Sequence, residues 1–560
     1  MQAFITKFLS TVSIKQKFVD YLTSPSSLSY YTTACTDPSY DEDNNYLFLR
    51  ELGTLGYHKT IVWYCYDKFK NLDQEILTKI RNNLMKDDSI GEYMMEFGLS
   101  EFILYDSNLK LTKKNYQHFF EAMIGATEFL INKKYKFGIG NNIVCDLCSF
   151  FLDQIPISET NLTDSKTVLK EFLDRNKQFN LIKQEDKNEE GLFSIKLFIQ
   201  GTQIGEGKSS LKIDAEQIAS QMAIRFLEEK GFMIKKTKEK IMKRDTSVVH
   251  VGIRGKEFQD FILKLLTQIP FSIELDKDDL FEMSKSFTHN EVSKDNYELI
   301  ETLGDITINK CSIWYISNRF PELNTPEGID IATKLKIVLI QTKTLSRIAL
   351  DLGFYKYISF PTSLNTKDQI KMLEDVCEAF FASLELIVDK KFGKGSGYVA
   401  CYKLLENILD NEEISLNYEN LADPTTRLKE LFDRYKLIKI KYIKKEHNFD
   451  YDENNPSIHP QIKDLFKKYN IKKSLNEQIF ESQISEANVL VEGCGCNHKH
   501  MITTHDYIAD VLTSYGEPFV SAFGFTEKEA KQNVSVLALE YYKKKGIQKM
   551  IPKEYLKYCV

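Results

Sequence analysis

Apolar residues recur at spacings of three and four over long stretches of the chain, as in Leu335, Val338, Leu339, Leu345, Ile348 and Leu352. That period lines one face of an α-helix. Such stretches fill 1–160 and 250–418 and predict two all-helical domains. A shorter mixed segment follows each. In the first, a helical pattern over Lys166 to Leu173 gives way to strand-like runs around Phe193 to Gln200, a turn, and a second helical run from Asp214 to Glu229. Helix, strands and helix in that order describe a small α+β domain, here 164–232, ended by Gly231-Phe232. The expected fold class is mainly α, with each helical domain followed by a small α-β-β-β-α module. The segment 233–249 reads as a basic linker. The second module spans 423–546, with a polar insertion near 440–488, and 547–560 is a basic tail.

The chain reads as a diverged duplication. Asn45-Tyr46, Leu52-Gly53, Trp63-Tyr64 and Phe69 recur as Asn296-Tyr297, Leu303-Gly304, Trp314-Tyr315 and Phe320, each offset by 251 residues. Phe97-Gly98 recurs at Leu352-Gly353 with offset 255, and Glu121-Ala122 at Glu378-Ala379 with offset 257. Leu169-Lys170-Glu171 and Asp174-Arg175 recur at Leu428-Lys429-Glu430 and Asp433-Arg434. A collinear series with slowly growing offset implies a repeat with small loop insertions.

Composition narrows the class. With 560 residues, the chain exceeds one hydrophobic core and holds several domains. No apolar run reaches the length of a membrane span. Ten cysteines scattered through apolar stretches (Cys65, Cys311, Cys377, Cys401) form no disulfide framework, so an intracellular protein of cytoplasm or nucleus is expected. Abundant Lys, Asn, Ile and Tyr point to an AT-rich genome such as that of a large DNA virus, in which case the host cytoplasm is the expected site, or of a protist. A net charge of -6 means that any nucleic-acid surface must be local. Lys235 to Arg244 and the C-terminal lysines are candidates, although a solvated surface explains either run.

The second helical domain carries the chemistry. Glu301 and Asp305 stand four apart, and Asp375 and Glu378 three apart, so each pair shares a helix face among apolar neighbours. Acids there are costly to bury alone, and no basic residue stands within these motifs. A hard divalent cation bridging to phosphate would resolve the cost; exposed helix edges would explain the spacing equally. The segment Glu298 to Asp305 resembles the signature of the ribonuclease III family, and Asp375-x-x-Glu378-Ala379 its second acidic motif. Pro326-Glu327-Gly328, Lys336 and Thr344 to Gly353 follow the family's order between them. Thr302 and Ile300 depart from the usual signature at packing positions. The resemblance implies that Glu301, Asp305, Asp375 and Glu378 hold Mg²⁺ or Mn²⁺ for cleavage to 5′-phosphate and 3′-hydroxyl ends, with Glu298 in support.

The same positions in the first copy are degenerate. Leu47 stands for Glu298, Arg50 for Glu301, Thr54 for Asp305 and His118 for Asp375, and only Glu121 survives. Arg50 would repel a cation and neutralise Glu121 instead; His118 reads as a structural helix-face residue. Ribonuclease III domains work in pairs, so either the two copies pair within one chain, giving one competent centre, or two second copies pair in a homodimer.

Residues 164–232 resemble a double-stranded-RNA-binding domain, with Lys208 and Lys212 as phosphate contacts near a loop from Ser209 to Asp214 that reads as long. Eleven basic residues against twelve acidic ones predict weak binding or a structural role there. The last module resembles the same domain less fully: Gly516-Glu517-Pro518 reads as a hairpin turn, and Lys528 and Lys531 are its expected phosphate contacts. Cys494, Cys496, His498 and His500 alternate as zinc ligands could on a strand, but the spacing is tight for one strand, and a Gly-rich loop with exposed histidines is the preferred reading. The expected function is a metal-dependent endoribonuclease acting on double-stranded or hairpin RNA, without a membrane partner; the alternative is a non-cleaving double-stranded-RNA binder or scaffold.

Overall fold

The computed structural model describes residues 1–69, 74–86, 89–155, 165–187, 192–209, 212–232, 248–434, 440–449, 460–461, 463–464, 477–489, 513–515, 519–524, 526–548 and 553–558. They form two compact units, Met1–Glu412 and Glu413–Val560.

A first helical block contains α1 (Gln2–Leu9), α2 (Gln16–Leu22), α3 (Pro25–Ala34), α4 (Leu47–Lys68), α5 (Gln74–Lys86), α6 (Ser89–Phe97), α7 (Lys113–Lys134) and α8 (Ile139–Gln154). Asn45 starts α4 by closing the turn before it: its side chain donates to the carbonyls of Asp41 and Glu42 and accepts from Leu47 N. Helices α4 and α7 then touch backbone to backbone. A Cβ on Gly53 would fall 1.7 Å from the Glu121 carbonyl oxygen, so only glycine allows the approach.

A three-stranded antiparallel sheet follows, flanked by α9 (Ser165–Arg175) and α10 (Lys212–Glu229), with strands β1 (Leu181–Lys187), β2 (Phe193–Ile199) and β3 (Thr202–Ser209) in that order. Alternation along β2 turns Ile195, Leu197 and Ile199 onto Leu169, Phe172 and the alanine face of α10. Gly205 and Gly207 let α10 lie directly on β3, since a Cβ on either would sit 2.1 Å from a helix carbonyl. The expected long loop before α10 is absent: β3 runs to Ser209 and the helix begins at Lys212.

The second helical block is opened by β4 (Val249–His250), which pairs with β5 (Phe360–Pro361). Its helices are α11 (Lys256–Leu266), α12 (Lys277–Ser286), α13 (Glu298–Arg319), α14 (Gly328–Ile340), α15 (Thr342–Asp351), α16 (Thr366–Phe392) and α17 (Ser396–Leu409). Asn296 closes the turn before α13 as Asn45 does before α4.

The two blocks meet through α4 and α13. Lys59 Nζ reaches Glu385 Oε1 at 2.5 Å, and Thr307 Oγ1 donates to the other oxygen of Glu385 at 2.7 Å. Reciprocally, Lys310 Nζ lies 3.0 Å from Glu128 Oε2 and donates to Asn141 Oδ1 at 2.8 Å. Lys59 and Lys310 occupy corresponding positions, as do Glu128 and Glu385, so each pair joins one block to the other. Around them the contact is uneven. Phe137 packs on Tyr402, Tyr398 and Trp314 with ring centroids 4.0, 5.8 and 5.9 Å away. At the place corresponding to Phe137, the second block carries Lys394, whose Nζ is 3.3 Å from Asp146.

The second unit holds α18 (Tyr418–Leu421), α19 (Pro424–Arg434), β6 (Ile440–Phe449), β7 (Glu477–Val489), β8 (Thr513–Tyr515), β9 (Val520–Gly524) and a last long helix, Glu527–Lys544. Strands β6 and β7 occupy the two ends of the segment read as a polar insertion. Strands β8 and β9 both run antiparallel to β7, β8 along Ala487–Val489 and β9 along Phe480–Ile484; the turn read at Gly516-Glu517-Pro518 lies outside the described residues. The expected basic tail is partly packed: Lys553–Tyr558 is a 3-10 helix, Tyr555 is buried, and Tyr558 accepts a hydrogen bond from Leu416 N. The cysteine–histidine stretch 494–500 and the basic run 235–244 lie outside the described residues. Among those described, no helix is long and apolar enough to cross a membrane.

Candidate active site

Gly304, between Glu301 and Asp305, brings the acids together. A Cβ there would stand 1.8 Å from the Glu378 carbonyl oxygen, so α13 and α16 cross at contact distance. Ligand-capable oxygens of Glu301, Asp375 and Glu378 consequently lie within 4.8 Å of one another. Asp305 lies outside that group of three; Asn309 Nδ2 donates to its Oδ1 at 2.8 Å. Even so, the charge of Asp305 acts strongly on Glu378. Glu298, at the start of α13, is engaged by the Asn290 amide.

The cluster resists ionisation. Burial, then the charge of Asp375, pushes Glu301 up to about 7. Burial, then Asp305 and Glu301, lifts Glu378 well above the usual carboxylate range. Burial also raises Asp375 and Asp305. A folded-state pKa raised above the unfolded one means that the folded chain binds the extra proton, so this contribution to stability is lost as pH rises through the interval from about 4.5 to 7. With chelator present, the Tm of the chain is therefore expected to fall between pH 5 and pH 8. Adding Mg²⁺ or Mn²⁺ should restore it most at the upper end, where the acids are free to ligate. A metal response that weakens as pH rises would contradict this picture.

A cation stands just before the second acidic motif and reaches into it. Lys371 Nζ lies 2.8 Å from both Glu374 Oε2 and Asp375 Oδ1. Its positions three and four residues before those acids were a readable helical signal. Two side chains from the first block had no such signal. Gln74 Nε2 donates to Glu301 Oε2 at 2.8 Å, and the Arg81 charge opposes the rise of Asp305.

In the first block, Arg50 Nε lies 3.5 Å from Glu121 Oε2, to which Thr54 Oγ1 also donates at 2.9 Å; Gln117 donates to the other oxygen at 2.9 Å. Burial and the Arg50 charge push His118 down to about 4, so its ring is neutral at physiological pH. A cavity of about 1030 Å³ lies where the blocks meet, lined by Phe129, Phe137, Trp314 and Tyr402 and not by the acids.

The lysines expected on RNA are differently disposed. Lys212 pairs with Glu185 at 2.7 Å and Lys208 with Glu206 at 3.1 Å. Lys528 is exposed in the first turn of the last long helix, whereas Lys531 Nζ sits 4.6 Å from the centre of the Tyr442 ring.

Comparison with known proteins bears on both parts. Residues 165–227 match the family model described as double-stranded RNA binding motif. Over 213 residues, 35% of this chain and 72% of the relative, the sequence is 32% identical to the "Putative ribonuclease 3" of Invertebrate iridescent virus 6. The chain belongs to the ribonuclease III family. A second viral ribonuclease III relative, the "Putative ribonuclease 3" of Frog virus 3, is 40% identical over 27% of this chain and 41% of its own length. The bacterial "Ribonuclease 3" of Staphylococcus aureus is 28% identical over 32% of this chain and 76% of its own.

Proposed function

We propose that this ribonuclease III chain is a metal-dependent endoribonuclease that cuts double-stranded or hairpin RNA at one centre, in its second helical block. The convergence of Glu301, Asp375 and Glu378 carries the reading. Hard divalent cations such as Mg²⁺ or Mn²⁺ prefer oxygen ligands, and three crowded acids that burial and mutual repulsion hold back from ionising fit one. Those three would hold the cation, with Asp305 adding a fourth carboxylate beside them. When bound, it supplies Lewis acidity toward a phosphodiester and lowers the pKa of a bound water. Lys371 would shift from neutralising Asp375 to Glu374 alone. The products would carry 5′-phosphate and 3′-hydroxyl ends. The α-β-β-β-α module at 165–229 would contribute duplex affinity, as would the Lys528 end of the last long helix.

The first block is read as chemically silent, with Arg50 and Thr54 occupying Glu121. Pairing inside the chain is favoured over a homodimer by the uneven contact between blocks. Two second blocks facing each other would set Lys394 against Trp314, Tyr398 and Tyr402, where Phe137 packs instead. Phe137→Lys is accordingly expected to loosen the internal pair and lower stability by about 3 kcal/mol, read from the shift of the denaturation midpoint. A midpoint equal to that of the wild type would count against internal pairing.

End-mapping of products from a long duplex and a hairpin, each labelled on both strands, tests the whole reading. One nick per encounter is expected, whereas matched cuts on both strands would refute a single centre. The rival reading, a duplex binder without cleavage, is favoured by Lys371 already neutralising part of the acidic cluster. It prevails if every duplex and hairpin survives in Mg²⁺ and in Mn²⁺.

A further inference from the structure

Helix α5 belongs to the first block, yet its first turn touches one of the acids of the second. Gln74 Nε2 donates to Glu301 Oε2 at 2.8 Å. Seven residues on, two turns along the same face, Arg81 supplies the largest opposing charge felt by Asp305. Arg81 Nε is buried with no hydrogen-bond partner among the described residues. A reciprocal reach exists on the other side: Lys336 of α14, at the place corresponding to Arg81, sets its Nζ 2.8 Å from Glu51 Oε1 in the first block. Crossing from one block to the acidic helix of the other is thus built in twice, but only one crossing ends at a carboxylate cluster.

We propose that Gln74 is a positioning residue for Glu301, so that the block without the acids completes the centre of the block that has them. This inference rests on the nuclease reading above. A carboxylate has two oxygens and several lone pairs. An amide donor fixed on one oxygen holds the carboxylate in a single orientation and leaves the remaining lone pairs to a cation. Such outer partners are typically worth about 10- to 100-fold in metal affinity or activity. A glutamine does this without adding charge. A lysine there would compete with the metal, and a glutamate would add to the crowding of acids. Arg81, farther along the face, offsets part of the negative charge while no cation is bound.

The test uses the full chain carrying Gln74→Met, which keeps length and packing but has no donor. Mn²⁺ uptake without RNA, followed by the loss of the free-ion paramagnetic resonance signal, is expected to weaken about tenfold. Cleavage should recover as Mn²⁺ is raised, and the Tm should be unchanged. Gln74→Asn, whose amide is one methylene short, should fall between the two. Ile76→Ala, at a partly exposed position of the same helix, should match the wild type. Mn²⁺ affinity of Gln74→Met within about twofold of wild type overturns the proposal, as does equality of Gln74→Asn with wild type should the Met variant fail to fold. In either case the nuclease reading stands if Glu301→Gln loses both Mn²⁺ uptake and cleavage. A wild-type chain that takes up no Mn²⁺ brings down both.

Discussion

Asp375→Asn is expected to reduce cleavage of a labelled duplex at least about a thousandfold, while duplex affinity measured in Ca²⁺ stays within about twofold. The substitution keeps the size of the side chain and removes one of three acids whose oxygens lie within 4.8 Å of one another. Lys371 retains Glu374, so the helix is not left with an unpaired cation. A second signature separates this from general damage. Without metal, the wild-type centre holds several carboxylates that burial and mutual repulsion push toward protonation. Deleting one charge relieves that repulsion, and the metal-free variant should melt above the metal-free wild type at pH 8. Its further rise on adding Mg²⁺ should be smaller. If the variant cleaves at a wild-type rate, Asp375 has no part in the reaction; if it loses duplex binding as well, its role is structural.

Lys310→Met should produce the largest loss of stability. Lys310 and Glu128 are both fully inaccessible to solvent. Removing the cation strands Glu128, and breaking a buried pair in this way costs about 3–5 kcal/mol. The carboxylate escapes part of that cost by taking a proton, so the loss should deepen as pH rises. Lys310→Met combined with Glu128→Leu should recover most of it, because apolar residues of similar volume often replace a buried pair without penalty. Denaturant midpoints of the two single variants and the double variant measure this directly. A single variant within about 1 kcal/mol of wild type would show that water or another group already satisfies Glu128.

Much of the candidate site was legible because its spacing is local. Glu301 with Asp305, and Asp375 with Glu378, declare themselves as helix-face pairs. The small α-β-β-β-α module was legible from the change of period between Lys166 and Glu229. What sequence could not supply depends on how one block meets the other. Gln74 is an unremarked polar residue at a helix start until α5 is laid against α13. Nor was the hydrogen bond from Asn309 to Asp305 legible, since an amide one helical turn away could equally have faced solvent. The shared pairing of β8 and β9 with the long strand β7 was not legible either, since strand partners are not encoded locally.

The reciprocal lysine–glutamate pairs also bear on descent. Lys59 is useful only while Glu385 persists, and Lys310 only while Glu128 does, so a change on either side is costly unless its partner changes too. The first block, which carries Arg50 and Thr54 where the second carries acids, is therefore not free to drift or to be deleted, since its removal would leave Glu385 and Lys310 in the remaining half without counterions. Across many homologues of this chain, the positions of Arg50 and Thr54 should vary widely while these four residues change together or not at all.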